Sequence, residues 1–151
     1  MTTEFRKIFI DSNILIYANV AESPFHTQAL AGIKQLRAKK DQLWISRQVL
    51  HEFIATLTCP QQFSNPQPPE VVIERIRYFQ TRFRIAEESA TVTEKLLFLL
   101  KEIAFGGKQV HDANIMATML ENNITHLFTR NIPDFKRFSA YISLTSLDDV
   151  S

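Results

Sequence analysis

Short apolar runs that end at polar residues recur along the chain and predict buried strands. Residues 8–10, 43–45 and 127–129 are three such runs, residues 142–144 form a fourth, and Arg84–Ala86 is a brief extended piece. Longer segments with apolar positions at helical spacing separate them. This alternation predicts an α/β protein with a three-layer α/β/α architecture and a mainly parallel central sheet.

The segments between these runs predict helices. A first helix begins with residues 14–17, others are predicted over residues 25–40, 47–58, 70–83 and 92–104, and a last one starts near His111. Residues 96–100 are apolar nearly all round, which is typical of a central or interface-forming helix. Gly106 and Gly107 are expected to end that helix. Residues 61–69 (QQFSNPQPP) are rich in proline and predict a surface loop within one domain.

The composition fits one domain that spans residues 1–151. A chain of this length with 45% hydrophobic residues can bury a sizeable core. Lys and Arg number 17 and Asp and Glu number 16, so the formal net charge is +1. This balance argues against an acidic disordered tail and against a uniformly basic coat for nucleic acid. Any contact with a polyanion must therefore come from a local patch.

The single cysteine, Cys59, cannot form a disulfide within the chain, which favours a reducing compartment. It is either a nucleophile or, as we expect, a small half-buried residue at a helix end. No apolar run approaches the roughly 20 residues that span a bilayer, and residues 1–7 (MTTEFRK) do not resemble a signal peptide. We therefore expect a soluble cytoplasmic protein without a membrane segment.

Asp11 ends the first predicted strand and precedes the first helix. In an open parallel sheet, ligands bind in the crevice beyond the carboxyl ends of the strands, and Asp11 would lie there. The alternative is that Asp11 caps the following helix, a role that Ser12 could fill equally well.

Two further acids lie on helices that carry an apolar stripe. Glu52 lies at the margin of its stripe, so it either reaches along the edge of the core or is an ordinary exposed residue. Asp112 falls within the buried stripe of its helix, where a carboxylate needs a cation, a metal ion or free backbone N–H groups at the helix start. The neighbouring His111 is either a ligand or base, or a structural imidazole.

These acids are expected to converge, because parallel strands aim their carboxyl ends at one edge of the sheet. Three or four carboxylates without as many cations repel one another, and a divalent ion removes that repulsion. Hard oxygen ligands favour Mg²⁺ or Mn²⁺, and no CxxC or HxxxH spacing indicates zinc. An ion held in this way can orient a phosphodiester and lower the pKa of a bound water, which is the chemistry of a nuclease.

Four motifs together resemble the PIN domain family, and specifically the VapC-like toxin ribonucleases of bacterial toxin–antitoxin systems. They are IDSNILIY, HEF, HDANIMATML and LFTRNIPDF, and they occur in the family's order across essentially the whole chain. The resemblance implies a PIN-like fold and a metal-dependent endoribonuclease. Carried onto matching positions, the family's acids fall on Asp11, Glu52 and Asp112.

The fourth acidic position of the family is open in this chain. Many PIN domains have an Asp shortly after the Thr of the last motif, where this chain has Asn131 two residues after Thr129. Asp134 follows just before Phe135 and could fill the role through a water. Thr129 would support the cluster through its hydroxyl. Whether one or two metal ions bind stays open.

The resemblance implies a role for each acid of this cluster. Asp11 and Asp112 are expected to bind Mg²⁺ or Mn²⁺ directly, and Glu52 is expected to bind the ion or position the attacking water. Either Asn131 or Asp134 would complete the cluster.

The residues around the cluster have expected roles as well. Ser12 and Asn13 would orient the loop after the first strand, while Arg47, Lys108 and Arg130 would contact phosphate groups. The expected partners are an RNA substrate, a small antitoxin whose segment enters the acidic cleft, and a second copy of the chain in a homodimer.

Other functions compete with this one. A non-catalytic PIN-like protein- or RNA-binding module would keep a vestigial acidic pocket; Asn131 favours it mildly, and the three intact acids argue against it. A phosphatase with Asp11 as nucleophile usually has a second Asp two residues on, where this chain has Asn13. A receiver-type phosphoacceptor domain would have paired acids just before Asp11, and the sequence has none there.

Overall fold

The computed structural model describes residues 5–59 and 67–149. Its strands are β1 (Lys7–Ile10), β2 (Gln42–Ser46), β3 (Arg84–Ala86), β4 (His126–Phe128) and β5 (Ser143–Thr145). Its α-helices are α1 (Ser12–Asn19), α2 (His26–Ala38), α3 (Arg47–Leu57), α4 (Pro69–Arg82), α5 (Ala90–Glu102), α6 (Gln109–Glu121) and α7 (Ile132–Phe135). Lys136–Phe138 and Leu147–Asp149 form short 3₁₀ turns.

The strands form one parallel sheet in the order β3-β2-β1-β4-β5. Phe9 of β1 lies opposite Trp44 of β2 and Leu127 of β4, which sets the register of the central strands. The prediction of a mainly parallel sheet is confirmed. Because the chain places β2 and β3 on one side of β1 and then β4 and β5 on the other, a topological switch point lies between β1 and β4.

Helices cover both faces of the sheet, which gives the predicted three layers. Right-handed crossovers place α1 to α4 on one face and α5 to α7 on the other. The packing follows this division, since α1 contacts α2 and α3, whereas α6 contacts α5 and α7.

The central strands are buried on both faces, as is usual for parallel sheets. Phe9 of β1 and Phe128 of β4 have no exposed surface. On the helical layer, Phe53 of α3 packs edge-on against Phe79 of α4, with ring centroids 4.9 Å apart. Phe135 of α7 is also fully buried and anchors this short helix next to the end of β4. Rigid elements therefore position the carboxyl edge of the sheet.

Helix α5 is a surface helix and not a central one. Leu99 is fully buried, but Leu97, Phe98 and Leu100 are each about half exposed (51%, 46% and 51%). Of the two alternatives for this apolar segment, the central position is wrong, because α5 buries one side against α6 and leaves the other uncovered.

Two predicted boundaries need correction. Helix α5 ends at Glu102, so Gly106 and Gly107 do not end it; they lie in the loop to α6, where Gly107 has a φ of +58°. The polar residues 129–135 are expected to form a loop, but they contain α7, because Pro133 in its first turn has the fixed φ that starts a helix.

The remaining expectations have mixed outcomes. Ser46, which follows the apolar run 43–45, is expected to cap the next helix, and it does cap α3: its Oγ accepts a hydrogen bond from the Val49 N–H. Cys59 is half-buried beyond the end of α3, as expected. The loop predicted over residues 61–69 lies mostly outside the described residues. No helix in residues 5–59 and 67–149 is long and apolar enough to cross a membrane.

Candidate active site

Asp11 lies at the switch point, directly after β1, and is only 4% exposed. Its backbone N–H donates to the Phe128 carbonyl (3.0 Å), so the parallel pairing with β4 continues to this residue. Its Oδ1 accepts the Ser12 N–H (2.8 Å), which caps α1. Its Oδ2 accepts the Thr129 hydroxyl (2.7 Å) from the end of β4. Asp11 is therefore both the predicted cap and a buried carboxylate in the crevice.

Asn13 and Thr129 join the loops that follow β1 and β4. The Asn13 amide donates to Asp11 Oδ2 (3.2 Å), and its Oδ1 accepts the backbone N–H of Arg130 (3.2 Å). The Thr129 Oγ1 also accepts the Asn131 N–H (3.0 Å). These bonds fix the orientation of the Asp11 carboxylate and join the loop after β1 to the segment after β4.

Glu52 points from α3 towards the same crevice. Its Oε2 accepts a hydrogen bond from the Ser12 hydroxyl (3.2 Å). Its Oε1 is buried and accepts no hydrogen bond of good geometry among the described residues, although the Gln48 side chain is close enough to lower the pKa of Glu52. The alternative of an ordinary exposed glutamate is therefore wrong, and one carboxylate oxygen is available for a ligand.

Asp112 lies in the first turn of α6, which begins at the same edge of the sheet. It does not cap the helix, because the N-cap position is Lys108 and α6 has no side-chain cap. The pKa of Asp112 is raised to about 6, first by burial and then by the charges of Asp11, Asp134 and Glu52, in that order. Asp112 is thus held close to the other acids.

The pKa values of Asp11 and Glu52 are also raised, mainly by burial. Burial raises the pKa of Asp11, the Thr129 hydrogen bond opposes it, and the Asp134 charge adds to the increase. Burial and then the Asp11 charge raise the pKa of Glu52. Asp134 is exposed on α7, but its charge reaches Asp11 and Asp112. Asn131 is exposed at the N-cap of α7. The charges of the other three predicted acids therefore all act on Asp112.

Arg137 is a basic residue near this cluster that the sequence analysis missed. Its charge lowers the pKa of Asp112. Its Nε is buried and has no hydrogen-bond partner within the described residues, while Nη1 donates to the Ala104 carbonyl (3.5 Å). The sequence signal for Arg137 was its position three residues after Asp134, which is about one helical turn.

Gln48 and Asn114 were missed as well. The Gln48 amide donates to the His111 carbonyl (2.9 Å), and its Oε1 accepts the Asn114 amide (2.8 Å). His111 itself is exposed. Gln48 lies one helical turn before Glu52 on α3, and His111 and Asn114 flank Asp112 on α6. Helical spacing from these two acids was the only sequence signal for Gln48 and Asn114.

The three predicted phosphate contacts have different surroundings. Arg47 forms a two-point ion pair with Glu87 (2.7 and 3.2 Å), so its charge is already partnered. The Arg130 guanidinium lies 4.1 Å from the centre of the Phe25 ring. Lys108 is exposed at the start of α6. Of the three, Arg130 and Lys108 therefore have no carboxylate partner among the described residues, whereas Arg47 has one.

The donor set fits a hard divalent cation. The acids supply only oxygen atoms, the pKa values of Asp11, Glu52 and Asp112 are raised, and Glu52 Oε1 is buried without a partner. Within residues 5–59 and 67–149, no three His, Cys, Asp or Glu side chains form a ready-made cage. Mg²⁺ needs no such cage, because it is usually held by one or two carboxylates together with water.

Comparison with known proteins agrees with this architecture. The family model described as PIN domain matches residues 8–140. Ribonuclease VapC48 from Mycobacterium tuberculosis is 24% identical over 130 residues, which cover 85% of this chain and 89% of the relative.

Solved structures share the fold. VapBC2 from Rickettsia felis, bound to a DNA fragment from its promoter, has a TM-score of 0.67 and 24% identity, and the match covers 93% of this chain and 98% of that one. VapC20 from M. tuberculosis, a Sarcin-Ricin loop cleaving toxin, has a TM-score of 0.59 and 20% identity, with 80% of this chain and 86% of that one covered.

Proposed function

Because the chain belongs to the PIN domain family, we propose that it is a metal-dependent endoribonuclease that hydrolyses RNA phosphodiester bonds. The observation that carries the proposal is the meeting of Asp11, Glu52 and Asp112, from three separate elements, at the switch point of the sheet. A relative whose match covers 85% of this chain is named a ribonuclease, and this name supports RNA as the substrate.

Asp11, Asp112 and Glu52 are the residues that would hold Mg²⁺ or Mn²⁺. When bound, such an ion lowers the pKa of a coordinated water and neutralises charge that develops on the phosphate and the leaving oxygen. The raised pKa values of the three acids favour this assignment. Burial is the main cause of the increase and neighbouring negative charges add to it, and a bound cation would offset both.

The surrounding residues prepare the acids for this task. Thr129 and Asn13 hold the Asp11 carboxylate in one orientation through Oδ2. Ser12 holds Glu52 through Oε2, which leaves Oε1 available to accept a proton or a hydrogen bond from the attacking water. These bonds pre-organise the acidic groups before substrate arrives, which lowers the reorganisation that the reaction requires.

Asp134 is our choice for the fourth acidic residue. Its charge raises the pKa of both Asp11 and Asp112, whereas the Asn131 side chain is neutral. Its exposure favours an indirect role, in which it binds a water of the cluster. Arg130 and Lys108 are the proposed phosphate contacts, and Arg47 would join them only when released from Glu87.

The proposed partners are an RNA substrate, a small antitoxin protein and a second copy of this chain. Support for the antitoxin comes from structural neighbours that are toxin–antitoxin complexes, including one from Klebsiella pneumoniae. We further propose that residues 1–151 act as one domain in the cytoplasm.

Cleavage of a mixed pool of structured RNA tests the function. Wild-type protein is incubated with Mg²⁺, Mn²⁺ or EDTA, next to Asp112→Ala and the control Glu121→Gln, which changes an acid at the far end of α6. We expect metal-dependent cuts by the wild type and the control, and none by Asp112→Ala. A DNA pool of the same sequences should remain intact. If folded wild-type protein cuts neither pool in either metal, the non-catalytic binding module replaces the nuclease.

A further inference from the structure

Two of the acids of this site lie on helices from opposite layers of the fold. Glu52 is on α3, which packs mainly against α1, β2 and α4, whereas Asp112 is on α6, which packs mainly against α5 and α7. The core therefore holds each helix against different neighbours. A small slide or rotation of one helix would change the separation of the two carboxylates.

We propose that Gln48 and Asn114 form a clamp that fixes the positions of Glu52 and Asp112 relative to each other and so supports metal binding by these two acids. The inference rests on the proposed function, because it concerns the metal site of that nuclease. It assigns a positioning role to two residues that do not themselves belong to the acidic cluster.

The clamp consists of hydrogen bonds in both directions between one side chain and one helix. Gln48 donates to the backbone carbonyl of His111 (2.9 Å) and accepts from the amide of Asn114 (2.8 Å). The first bond contacts the residue just before Asp112, and the second contacts the residue two positions after it. Two bonds to different points on α6 restrict both its rotation and its translation relative to Gln48.

On α3, the clamp acts directly on the turn that carries Glu52. Gln48 and Glu52 are four residues apart and so share one side of this helix. The Asn114 amide also contacts Glu88 Oε1 (3.4 Å), which links the clamp to the segment after β3. The clamp therefore ties three elements together at the edge of the sheet where the acids meet.

Residues that orient the ligands of a metal ion commonly change metal affinity or activity by about tenfold to hundredfold when they are mutated. We therefore expect Gln48→Met, which keeps the side-chain length but removes the amide, to weaken Mn²⁺ binding by at least about tenfold. Asn114→Ala should do the same from the other helix, and it provides an independent test if the first variant folds poorly. Gln80→Met, at an exposed position on α4, is the matched control.

The experiment measures Mn²⁺ binding to the full chain by electron paramagnetic resonance and calorimetry, for both single variants, the double variant and the control. Because both residues belong to one clamp, the double variant should bind Mn²⁺ no more weakly than the weaker single variant. In cleavage assays, kcat should fall while KM for RNA stays unchanged, since the clamp does not contact the substrate.

Each outcome bears on a different claim. Weakened binding with non-additive effects supports the clamp. Wild-type affinity in both single variants, or fully additive losses in the double variant, overturns the clamp and leaves the proposed nuclease intact. If wild-type protein itself binds no Mn²⁺, the metal-dependent mechanism fails and the clamp fails with it.

Discussion

The Thr129 hydroxyl donates a 2.7 Å hydrogen bond to Asp11 Oδ2, and this bond joins the carboxyl ends of the two strands that flank the switch point. Both residues are almost completely buried. The bond lowers the pKa of Asp11 against a larger increase from burial. Thr129 thus favours the ionised carboxylate that a cation-binding site requires.

Removing this hydroxyl with Thr129→Val should raise the pKa of Asp11 further and destabilise the protein at neutral pH. An ionised carboxylate that loses one buried hydrogen bond costs about 1–3 kcal/mol. Urea unfolding gives the free energy, and a carboxyl ¹³C NMR titration gives the pKa of Asp11. Cleavage should fall at pH 6 more than at pH 8, because ionisation of Asp11 then requires a higher pH.

Thr118→Val is the control for that variant. Thr118 is also fully buried, but its hydroxyl bonds to the Asn114 carbonyl of its own helix. Its removal should leave the pKa of Asp11 unchanged. An equal pKa for Asp11 in wild type and Thr129→Val would show that the hydroxyl does not stabilise the ionised carboxylate.

The Asp112 carboxyl should make stability depend on pH in metal-free buffer. Its pKa is raised in the folded protein to about 6, so the folded state binds its proton more tightly than the unfolded chain. Stability is therefore greatest below the unfolded pKa and falls as the pH rises from about 4 to about 6. The full pKa shift of Asp112 corresponds to roughly 3 kcal/mol of unfolding free energy. Because Asp112 is only partly buried and solvent screens its charge, we expect a loss of about 1 kcal/mol.

Asp112→Asn tests that expectation. In EDTA, this variant should be more stable than wild type by about 1 kcal/mol at pH 7.5 and equally stable near pH 4, by urea denaturation. Added Mn²⁺ should stabilise wild type at pH 7.5 but not the variant. A variant that is less stable than wild type at pH 7.5 would contradict the repulsion between the acids.

The convergence of the acids could be predicted from sequence because it follows from the sheet. Asp11 comes immediately after β1, and Thr129 comes immediately after β4, so parallel pairing alone brings them to one edge. Asp112 was recognised because a carboxylate within a buried stripe needs an explanation. Local pattern and topology carried this information.

Contacts between side chains from distant segments could not be predicted in this way. The pairing of Gln48 with Asn114 spans 66 residues, and the ion pair of Arg47 with Glu87 spans 40. Each depends on how two helices or loops meet in space, and one sequence does not encode it in a local pattern. Arg47 was therefore predicted as a free phosphate contact although it has a carboxylate partner.

The identity of the fourth acid can be tested by calorimetry with Mn²⁺ on two variants. Asp134→Asn should weaken binding by up to about tenfold and lower the pKa of Asp112, because its charge contributes to that increase. Asn131→Asp should tighten binding by adding a carboxylate at the start of α7. If Asp134→Asn has no effect and Asn131→Asp does, the fourth position is residue 131; if neither changes binding, three acids suffice.

Release of Arg47 from its ion pair should strengthen RNA binding. Glu87→Gln removes the carboxylate that Arg47 contacts at 2.7 Å on the protein surface. We expect tighter binding in low salt and a log–log salt slope steeper by about 0.7, as one added phosphate contact to a single strand requires. The measurement uses the Asp11→Asn background, which we expect to be unable to cleave RNA because Asp11 is a proposed metal ligand.

Asp41→Asn, which frees Arg6 at the opposite edge of the sheet, is the control and should leave the salt slope unchanged. Equal slopes for Glu87→Gln and wild type would remove Arg47 from the RNA-binding surface.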